Sequence, residues 1–312
     1  MKIIVTHTSP DWDAIGSVWL LKRYFQGWDD AHVEFVPAGQ RYKDHEVVVM
    51  KHTDDPIEKI YEDEVIHVDT GMTPLDHHQT YDTTISAAGL TWEYIKQQIA
   101  RGKGQLGEGE KAKDKTLAID RIVKVIVDTD HFTEVFWPEA AADYHDFSVL
   151  GALDGLKLMK PDQDKYYLSW GMEILDSLVH YFENKVWAEK EIKKNGITFQ
   201  TRWGEGIGFE TINDDVLKLS QKMGYRIAVR KDPRKGYIRI KARPATTKSE
   251  AKSADTNIDL TLVYEKLRKI DPDATWFLHV SKKMLLNGTP KNPKMIPTKL
   301  SLQQIIDVIE SI

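Results

Sequence analysis

The chain has 312 residues, a length typical of about two domains, and 41% of them are hydrophobic, which is enough for a sizeable core. A formal net charge of −5 at pH 7 excludes a globally basic binder of polyanions, although local basic patches are compatible with it. The chain has no cysteine, which excludes disulfides and thiolate ligands. Any bound metal would therefore be held by His, Asp, Glu or backbone oxygen.

The sequence gives no sign of a membrane or of secretion. The N-terminal run turns polar at His7, too early for a signal peptide, and no apolar stretch approaches the ~18 residues of a membrane span. We therefore expect a cytoplasmic protein with no membrane partner. The sequence sets no oligomeric state.

Strand-like and helix-like patterns alternate in the N-terminal part of the chain. Alternation of this kind predicts a mostly parallel sheet flanked by helices, with ligands beyond the carboxyl ends of the strands. The predicted strands are 3–6, 32–36, 46–50 and 65–68, and the predicted helices are 14–25 and a short one opened by 54–56.

The rest of the chain divides near the lysine and glycine residues that close a long helix. We predict a catalytic domain over 1–194 and a second, smaller α+β domain over 195–312. The first contains a glycine-rich solvated loop over 101–115, and helices over 86–100, 116–127, 138–159 and 166–192. In the second we predict a hairpin over 225–230 and 236–241, helices over 259–269 and 301–309, and a strand over 276–280.

Two groups of polar residues follow predicted strands and carry the chemistry. The first, after strand 3–6, is His7, Asp11 and Asp13; the second, after strand 65–68, is Asp69, Asp76, His77 and His78. Carboxylates and imidazoles at neighbouring strand ends suit two divalent ions, with oxygen favouring Mg²⁺ or Mn²⁺ and imidazole shifting the preference towards Mn²⁺.

A plainer interpretation of the same residues is structural. Asp11 and Asp13 follow a proline and precede a predicted helix, where aspartate is a common cap. His77 and His78 could be ordinary core or surface histidines. The presence of both groups in one alternating unit favours the metal interpretation.

These motifs resemble the DHH phosphoesterase superfamily. The run from His7 to Ser17 is similar to its first motif, Asp69 to its second, and Asp76-His77-His78 to its signature. A fourth motif would fall at Asp128 or Asp130, and the form Asp128-Thr129-x-x-Phe132 favours Asp128. The motif spacing is closest to the MYG-type nuclease branch. The first motif, however, follows the general superfamily form, and the interval from Asp69 to Asp76 is short.

The resemblance implies a role for each residue of the two groups. One metal would be bound by His7 and Asp11 and the other by Asp13 and His77, with Asp69 bridging them. Asp128 would complete the second metal's shell. His78 would contact the scissile phosphate as electrophile or proton donor, and Asp76 would orient a neighbouring histidine.

The second domain carries a basic stripe that could bind the substrate. Arg239, Lys241 and Arg243 are two residues apart, so on a strand their side chains share one face, which suits contacts with phosphates. The alternative is a solvated hairpin whose charges protect an edge strand from aggregation. By resemblance, His279 lies where superfamily members place a C-terminal phosphate-binding loop.

Together these features predict a two-metal phosphoesterase with its active site between two domains. We expect an exonuclease-like hydrolase that cleaves phosphodiester bonds in short oligonucleotides or single-stranded nucleic-acid ends. One alternative is a phosphohydrolase acting on pyrophosphate, a nucleoside bisphosphate or a cyclic dinucleotide. Another is a nucleotide-binding module without catalysis, which the complete set of metal-binding residues argues against.

Overall fold

The computed structural model describes residues 1–44, 55–245, 257–289, 292 and 294–312. The chain is a mixed α/β protein with two sheets, which confirms the prediction of an α/β class. It divides into two compact units, Met1–Glu183 and Asn184–Ile312. The division falls inside the long helix Asp164–Asn195 rather than after it, where the sequence suggested a boundary. No helix in the described part of the chain is long and apolar enough to cross a bilayer.

The first unit contains a sheet and most of the helices. Its strands are β1 (Lys2–His7), β2 (His32–Val36), β3 (Glu58–Ile60) and β4 (Asp63–His67). Its helices are α1 (Trp12–Tyr24), α2 (Ala87–Ala100), α3 (Gly109–Asp130), α4 (Asp143–Asp146), α5 (Val149–Met159) and α6 (Asp164–Asn195), which continues into the second unit.

The sheet of the first unit has the order β2-β1-β4-β3. Strands β2 and β4 both pair in parallel with β1, and β3 pairs antiparallel with β4. Apolar side chains of β1 are buried on both faces, as expected for a central parallel strand. Because β1 ends at His7 and β4 at His67, the two polar groups that follow them lie at the same edge of the sheet.

Several predicted elements of this unit differ in the structure. The predicted strand 46–50 lies outside the described residues. Residues 55–57 are not helical and lead into strand β3. The predicted loop 101–115 is wrong in its second half, because α3 already begins at Gly109. The predicted helix 138–159 is wrong as one element, because Ser148 is extended and separates the short α4 from α5.

The second unit contains a six-stranded sheet in the order β5-β6-β7-β8-β10-β9. Strands β6 and β7 are parallel, and the other neighbouring pairs are antiparallel. The elements are β5 (Ile197–Thr201), β6 (Gly204–Glu210), α7 (Asp215–Lys222), β7 (Ile227–Lys231), β8 (Ile238–Ala242), α8 (Thr261–Ile270), β9 (Trp276–Leu278), β10 (Met284–Asn287) and α9 (Leu302–Glu310).

The two faces of this second sheet are covered differently. One face packs against α8 and α9 in a continuous apolar core. On the other face, α7 and the end of α6 pack over β6 and β7. Strands β7 and β8 are both interior, so the interpretation of their hairpin as a charged, protective edge is wrong.

Candidate metal centre

The polar residues that follow β1 and β4 meet at one edge of the first unit. There they form three overlapping groups, and within each group the ligand atoms lie within 4.8 Å of one another. The groups are His7-Asp11-Asp69, Asp69-His77-His78 and His77-Asp130-His131. Because Asp69 belongs to two groups and His77 to two, the three groups are one continuous cluster.

Asp69 lies at the centre of the cluster. It is 3% exposed, and its backbone adopts a left-handed φ of 55°, a conformation that costs energy for a non-glycine residue. Its Oδ2 is 3.1 Å from His7 Nε2 and its Oδ1 is 3.5 Å from His77 Nε2. The two oxygens therefore face two different histidines, which is the arrangement a bridging carboxylate requires.

His77 joins Asp69 to the end of α3. Its Nε2 lies 3.5 Å from Asp130 Oδ2 and 3.7 Å from Asp13 Oδ2. Among the described residues, Asp69 Oδ1, His77 Nε2 and Asp130 Oδ2 have no hydrogen-bond partner although all three atoms are buried. Buried polar atoms are normally paired, so three that converge without partners fit a divalent cation with oxygen and nitrogen ligands.

Asp11 and Asp13 make structural contacts and also lie near the histidines of the cluster. Asp11 caps α1, its Oδ1 accepting from the N–H groups of Asp13 and Ala14, while its Oδ2 lies 3.9 Å from His7 Nε2. Asp13 holds the start of α2, accepting from Ser86 Oγ at 2.6 Å and from the Ala87 and Ala88 N–H groups. Capping and proximity to the cluster therefore coexist in these residues.

The structure brings Asp130, and not Asp128, into the cluster. Residues two positions apart on a helix point about 200° away from each other. Asp128 therefore lies on the outer side of α3, where it pairs with Lys124 at 3.0 Å. The preference for Asp128 is therefore corrected in favour of Asp130. The helical period supplied the missing signal, because Asp130 lies four residues after buried Ile126 and continues the apolar face of α3.

His131 is a member of the cluster that the motifs did not predict. Its Nε2 lies 2.6 Å from the carbonyl oxygen of Ile85 and 3.7 Å from Asp130 Oδ2. A carbonyl only accepts, so Nε2 carries a proton while this bond is made. His131 thus fixes the end of α3 against the segment before α2. No spacing in the sequence distinguishes it from an ordinary helix-terminal histidine.

Asp76 and His78 form a pair at the open side of the cluster. Asp76 is buried, and its Oδ2 accepts from the Met72 N–H while its Oδ1 lies 2.7 Å from His78 Nδ1. The side chain of His78 is 55% exposed. The carboxylate therefore holds one ring nitrogen of His78 and leaves the ring accessible to a ligand.

The electrostatics of the metal-free cluster couple histidines to carboxylates. Burial lowers the pKa of His7, but its hydrogen bond to Asp69 and the nearby carboxylates outweigh this and raise it to about 9. Contact with Asp69 raises the pKa of His77 to about 9 despite its burial. Burial opposes ionisation of Asp69, yet its histidine partners hold its pKa at about 2.

The pKa values of two other carboxyl groups in the cluster are raised, whereas that of Asp69 is lowered. Burial, together with the charges of Asp69 and Asp130, raises the pKa of Asp13 well above its ordinary value. Burial also raises the pKa of Asp130, with Asp69 and Asp11 adding to the effect. Without a cation, the cluster therefore holds more carboxylates than its histidines can neutralise.

A buried polar network supports the Asp69 loop from behind. Glu58 accepts from Arg41 Nη2 through one oxygen, and its other oxygen is 2.8 Å from His67 Nδ1. His67 Nε2 accepts from the Tyr42 N–H, which leaves the proton on Nδ1. Arg41 also donates to the carbonyl of Gly71. The network thus anchors the chain on both sides of Asp69.

The loop between His7 and Asp11 is held in a comparable way. Ser9 adopts a left-handed φ of 52°, and both of its backbone polar groups are bound by the helices that follow α4. Its N–H donates to Asp164 Oδ1 at 2.8 Å, and its carbonyl accepts from Lys157 Nζ at 3.0 Å. These contacts fix a strained residue between two members of the cluster.

The predicted substrate-binding residues lie in the second unit. Arg239 and Lys241 are half-buried members of β8 and share a face, as their spacing predicts. Arg239 pairs with Asp214, which also receives Arg230 Nε at 2.7 Å. Arg243 follows the strand and is half-buried, and the ring of His279 lies 2.8 Å from Ser281 Oγ.

Comparisons with known proteins assign the chain to no family. No protein-family model matches the chain, and no curated protein matches it. One solved structure, described as an uncharacterized protein from Helicobacter pylori G27, aligns over 100% of both chains at 11% identity and a TM-score of 0.24. A similarity this low supports no conclusion about fold or function.

Proposed function

We propose that the first unit is a two-metal phosphoesterase of the DHH type. One observation carries the proposal: Asp69 faces His7 with one oxygen and His77 with the other, while buried atoms of Asp69, His77 and Asp130 have no hydrogen-bond partner among the described residues. A cluster that serves stability alone would be expected to pair those atoms in hydrogen bonds and not only in longer ion-pair contacts. A ligand-binding centre leaves them for its ligand.

The donor set assigns residues to two cations, Mn²⁺ or Mg²⁺. His7, Asp11 and Asp69 would hold one ion, and Asp69, His77, Asp130 and Asp13 the other. All donors are imidazole nitrogen or carboxylate oxygen. Carboxylate oxygen suits Mg²⁺ and Mn²⁺, and imidazole shifts the preference from Mg²⁺ towards Mn²⁺. When bound, such ions lower the pKa of a coordinated water and neutralise charge on phosphate oxygens.

The chain's own residues supply orientation and a proton. Asp76 holds His78 through Nδ1, so the remaining ring nitrogen is the one that a substrate oxygen would meet. In its protonated form His78 would donate a hydrogen bond to a phosphate oxygen or a proton to the leaving group. The exposure of His78 and the burial of Asp76 fit a substrate-contacting residue and a positioning residue.

The substrate class follows from charge and from the resemblance to DHH phosphoesterases. The cluster itself is acidic, so it would admit a phosphate only with cations in place. We propose hydrolysis of phosphodiester bonds in short oligonucleotides or single-stranded ends. Small phosphoanhydrides such as pyrophosphate suit the same metal chemistry and are the competing substrates.

Purified protein tests this assignment directly. It is stripped with chelator, reloaded with Mn²⁺, and assayed against a labelled short oligonucleotide and against pyrophosphate, with Asp69→Ala as the metal-site control. We expect Mn²⁺-dependent release of nucleotides by the wild-type chain alone. Phosphate release from pyrophosphate without oligonucleotide cleavage would overturn the nuclease assignment and retain the phosphoesterase.

A further inference from the structure

Among the described residues of the second unit, helices cover only part of one sheet face. Helices α6 and α7 cover this face over β6 and β7 but do not extend their apolar core to β8, β10 or β9. Directly paired residues in neighbouring strands point to the same face, so the register identifies what the open part presents. Arg239 pairs with Leu286, which pairs with Phe277, and Lys241 pairs with Met284.

The alternation of burial confirms that these residues form one surface, here called the open face: Arg239, Lys241, Phe277, Met284 and Leu286. Each is partly or fully exposed, and Phe277 is 48% exposed. The intervening residues of the same strands are buried against α8 and α9. Phe277, Leu286 and Met284 thus form an exposed apolar strip that none of the helices in the described part of the chain covers with an apolar core.

The cations beside this apolar strip are incompletely paired. Arg239 is held by Asp214, but the described residues give Lys241 no ion pair. Burial lowers the pKa of Lys241, and the neighbouring charges of Arg239 and Lys218 lower it further. Two carboxylates oppose these three cations: Asp214, which Arg239 shares with Arg230, and Asp215, whose charge acts on Lys241. Together with Arg230, the four cations outnumber the two carboxylates, so the patch has a net positive charge that suits an anion.

We propose that the open face binds single-stranded nucleic acid, with a base stacked on Phe277 and the adjoining backbone phosphates on Lys241 and Lys218. Stacking on exposed aromatic rings beside a basic groove is how sequence-tolerant single-strand binding arises. Two strand spacings, roughly 10 Å, separate Phe277 from Arg239, and Lys241 lies two residues further along β8. A nucleotide whose base stacks on the ring therefore brings its phosphate within reach of the Lys241 side chain. The proposal names the substrate class of the proposed function and rests on it for its catalytic meaning.

Single strands, and not duplexes, fit this surface. The bases of a duplex are stacked on one another and paired, so their faces are not available to Phe277. Lys241 is half-buried beside the strip, so it would reach a phosphate that follows a base onto the sheet. A duplex would meet the exposed Lys218 but not the ring.

Binding measured in chelator separates this surface from catalysis. The full-length protein is titrated into fluorescein-labelled 12-nucleotide RNA, 12-nucleotide DNA and the matching duplex, and anisotropy is followed at several salt concentrations. We expect single strands to bind at least tenfold more tightly than duplex. Equal affinity for duplex would overturn the proposal.

Matched variants assign the binding to the open face. Phe277→Leu keeps an apolar side chain without a ring and should weaken single-strand binding roughly tenfold, while Phe277→Tyr should restore it. Lys241→Gln should reduce the slope of log affinity against log salt by about 0.7, whereas Lys269→Gln on α8, behind the sheet, should leave it unchanged. Wild-type binding by Phe277→Leu and Lys241→Gln would overturn the proposal.

The two proposals fail in distinguishable ways. Normal chelator-insensitive binding without Mn²⁺-dependent cleavage would contradict the proposed function and leave the open face as a binding site. Cleavage of oligonucleotides by the wild type, with unchanged binding in the Phe277 and Lys241 variants, would contradict the open-face proposal and leave the phosphoesterase intact. Circular dichroism of each variant establishes that it is folded before binding is measured.

Discussion

Two buried polar clusters lie side by side in the first unit and are built in opposite ways. In the support network, both oxygens of Glu58 and both ring nitrogens of His67 have hydrogen-bond partners. In the neighbouring cluster, buried atoms of Asp69, His77 and Asp130 have none. Only one residue, Val68, separates His67 from Asp69 along the chain.

The difference indicates which cluster contributes to folding stability and which to ligand binding. The support network pairs the charge of Glu58 with that of Arg41, although Arg41 Nε has no hydrogen-bond partner among the described residues. Removing Glu58 would leave a buried charge uncompensated and weaken the fold. The cluster around Asp69 gathers carboxylates that repel one another and is completed by a ligand. We therefore expect removal of a repelled carboxylate such as Asp130 to reduce function while sparing stability, whereas Asp69, which is paired with two histidines, also contributes to stability.

The largest functional effect should come from Asp69→Ala. This change removes the carboxylate that faces both histidines, so both ions and all measurable hydrolysis should be lost together. Elemental analysis of the reloaded protein and the oligonucleotide assay measure the two quantities. Retention of two metal ions per chain would show that Asp69 does not bridge them.

His78→Ala should lower kcat by about 10²–10⁴ without loss of metal, because a residue that transfers a proton acts on the reaction and not on the ions. Asp76→Asn keeps the shape of the side chain but weakens the orientation of His78, so it should lower kcat about 10–100-fold. Metal content after dialysis is the companion measurement. Equal loss of metal and activity would make His78 a ligand.

Asp130→Asn should weaken metal binding and activity at least about tenfold, and Asp128→Asn, on the outer side of the same helix, provides the matched control. The unfolding free energy of the metal-free Asp130→Asn protein should stay the same or rise, since a repulsion with Asp69 and Asp11 is removed. Titration of Mn²⁺ and chemical denaturation check both points. A larger effect from Asp128→Asn would reverse the assignment on α3.

Glu58→Gln should reduce the stability of the fold while leaving metal binding intact. It leaves Arg41 buried without its counter-charge, so the unfolding free energy should fall by about 3–5 kcal/mol. Metal stoichiometry at saturating Mn²⁺ should stay at two, measured at low temperature where the variant is folded. An unchanged denaturation midpoint would remove the contrast between the two clusters.

The smallest predicted effect is the pH dependence of stability and of Mn²⁺ affinity. In the metal-free protein His7 and His77 have pKa values of about 9, above the ordinary 6.5, so their contribution to stability is full below pH 6.5 and is lost as pH rises through 9. Asp69, at about 2, contributes above its ordinary 3.8 and stops contributing as pH falls through 2. Ligation requires deprotonated rings, so Mn²⁺ affinity should rise with pH up to about 9.

Calorimetry in buffers of different ionisation enthalpy measures the protons released on Mn²⁺ binding. Release should exceed one proton per chain at pH 7.5 and should fall in His7→Ala. His67, whose pKa burial lowers, is already neutral and contributes no protons. Binding without proton release would contradict the protonated histidines of the metal-free cluster.

The sequence predicted most of the site because strand ends and motif residues coincide. The β-branched run before His7 and the one before Asp69 place both groups at one sheet edge, and parallel pairing of β1 and β4 follows from their alternation with helices. The choice between Asp128 and Asp130 needed the face of α3. The motif favoured Asp128, whereas the helical period, which continues the buried face of α3 to Asp130, indicates the other aspartate.

Other features depend on contacts that no local pattern encodes. Glu58 and Arg41 are ordinary charged residues in sequence, and only the pairing of β3 with β4 brings them behind Asp69. Asp164 and Lys157 form hydrogen bonds with the backbone of Ser9, although both lie more than a hundred positions away along the chain. The open face likewise required the order of strands β8, β10 and β9, which places Phe277 across from Arg239.

The most direct test of the two-metal centre is a crystal structure of the chain soaked in Mn²⁺, with anomalous scattering recorded at the manganese edge. We predict two peaks, each next to one oxygen of Asp69, one beside His7 and the other beside His77 and Asp130. A single peak away from Asp69, or no peak at saturating Mn²⁺, would contradict the account.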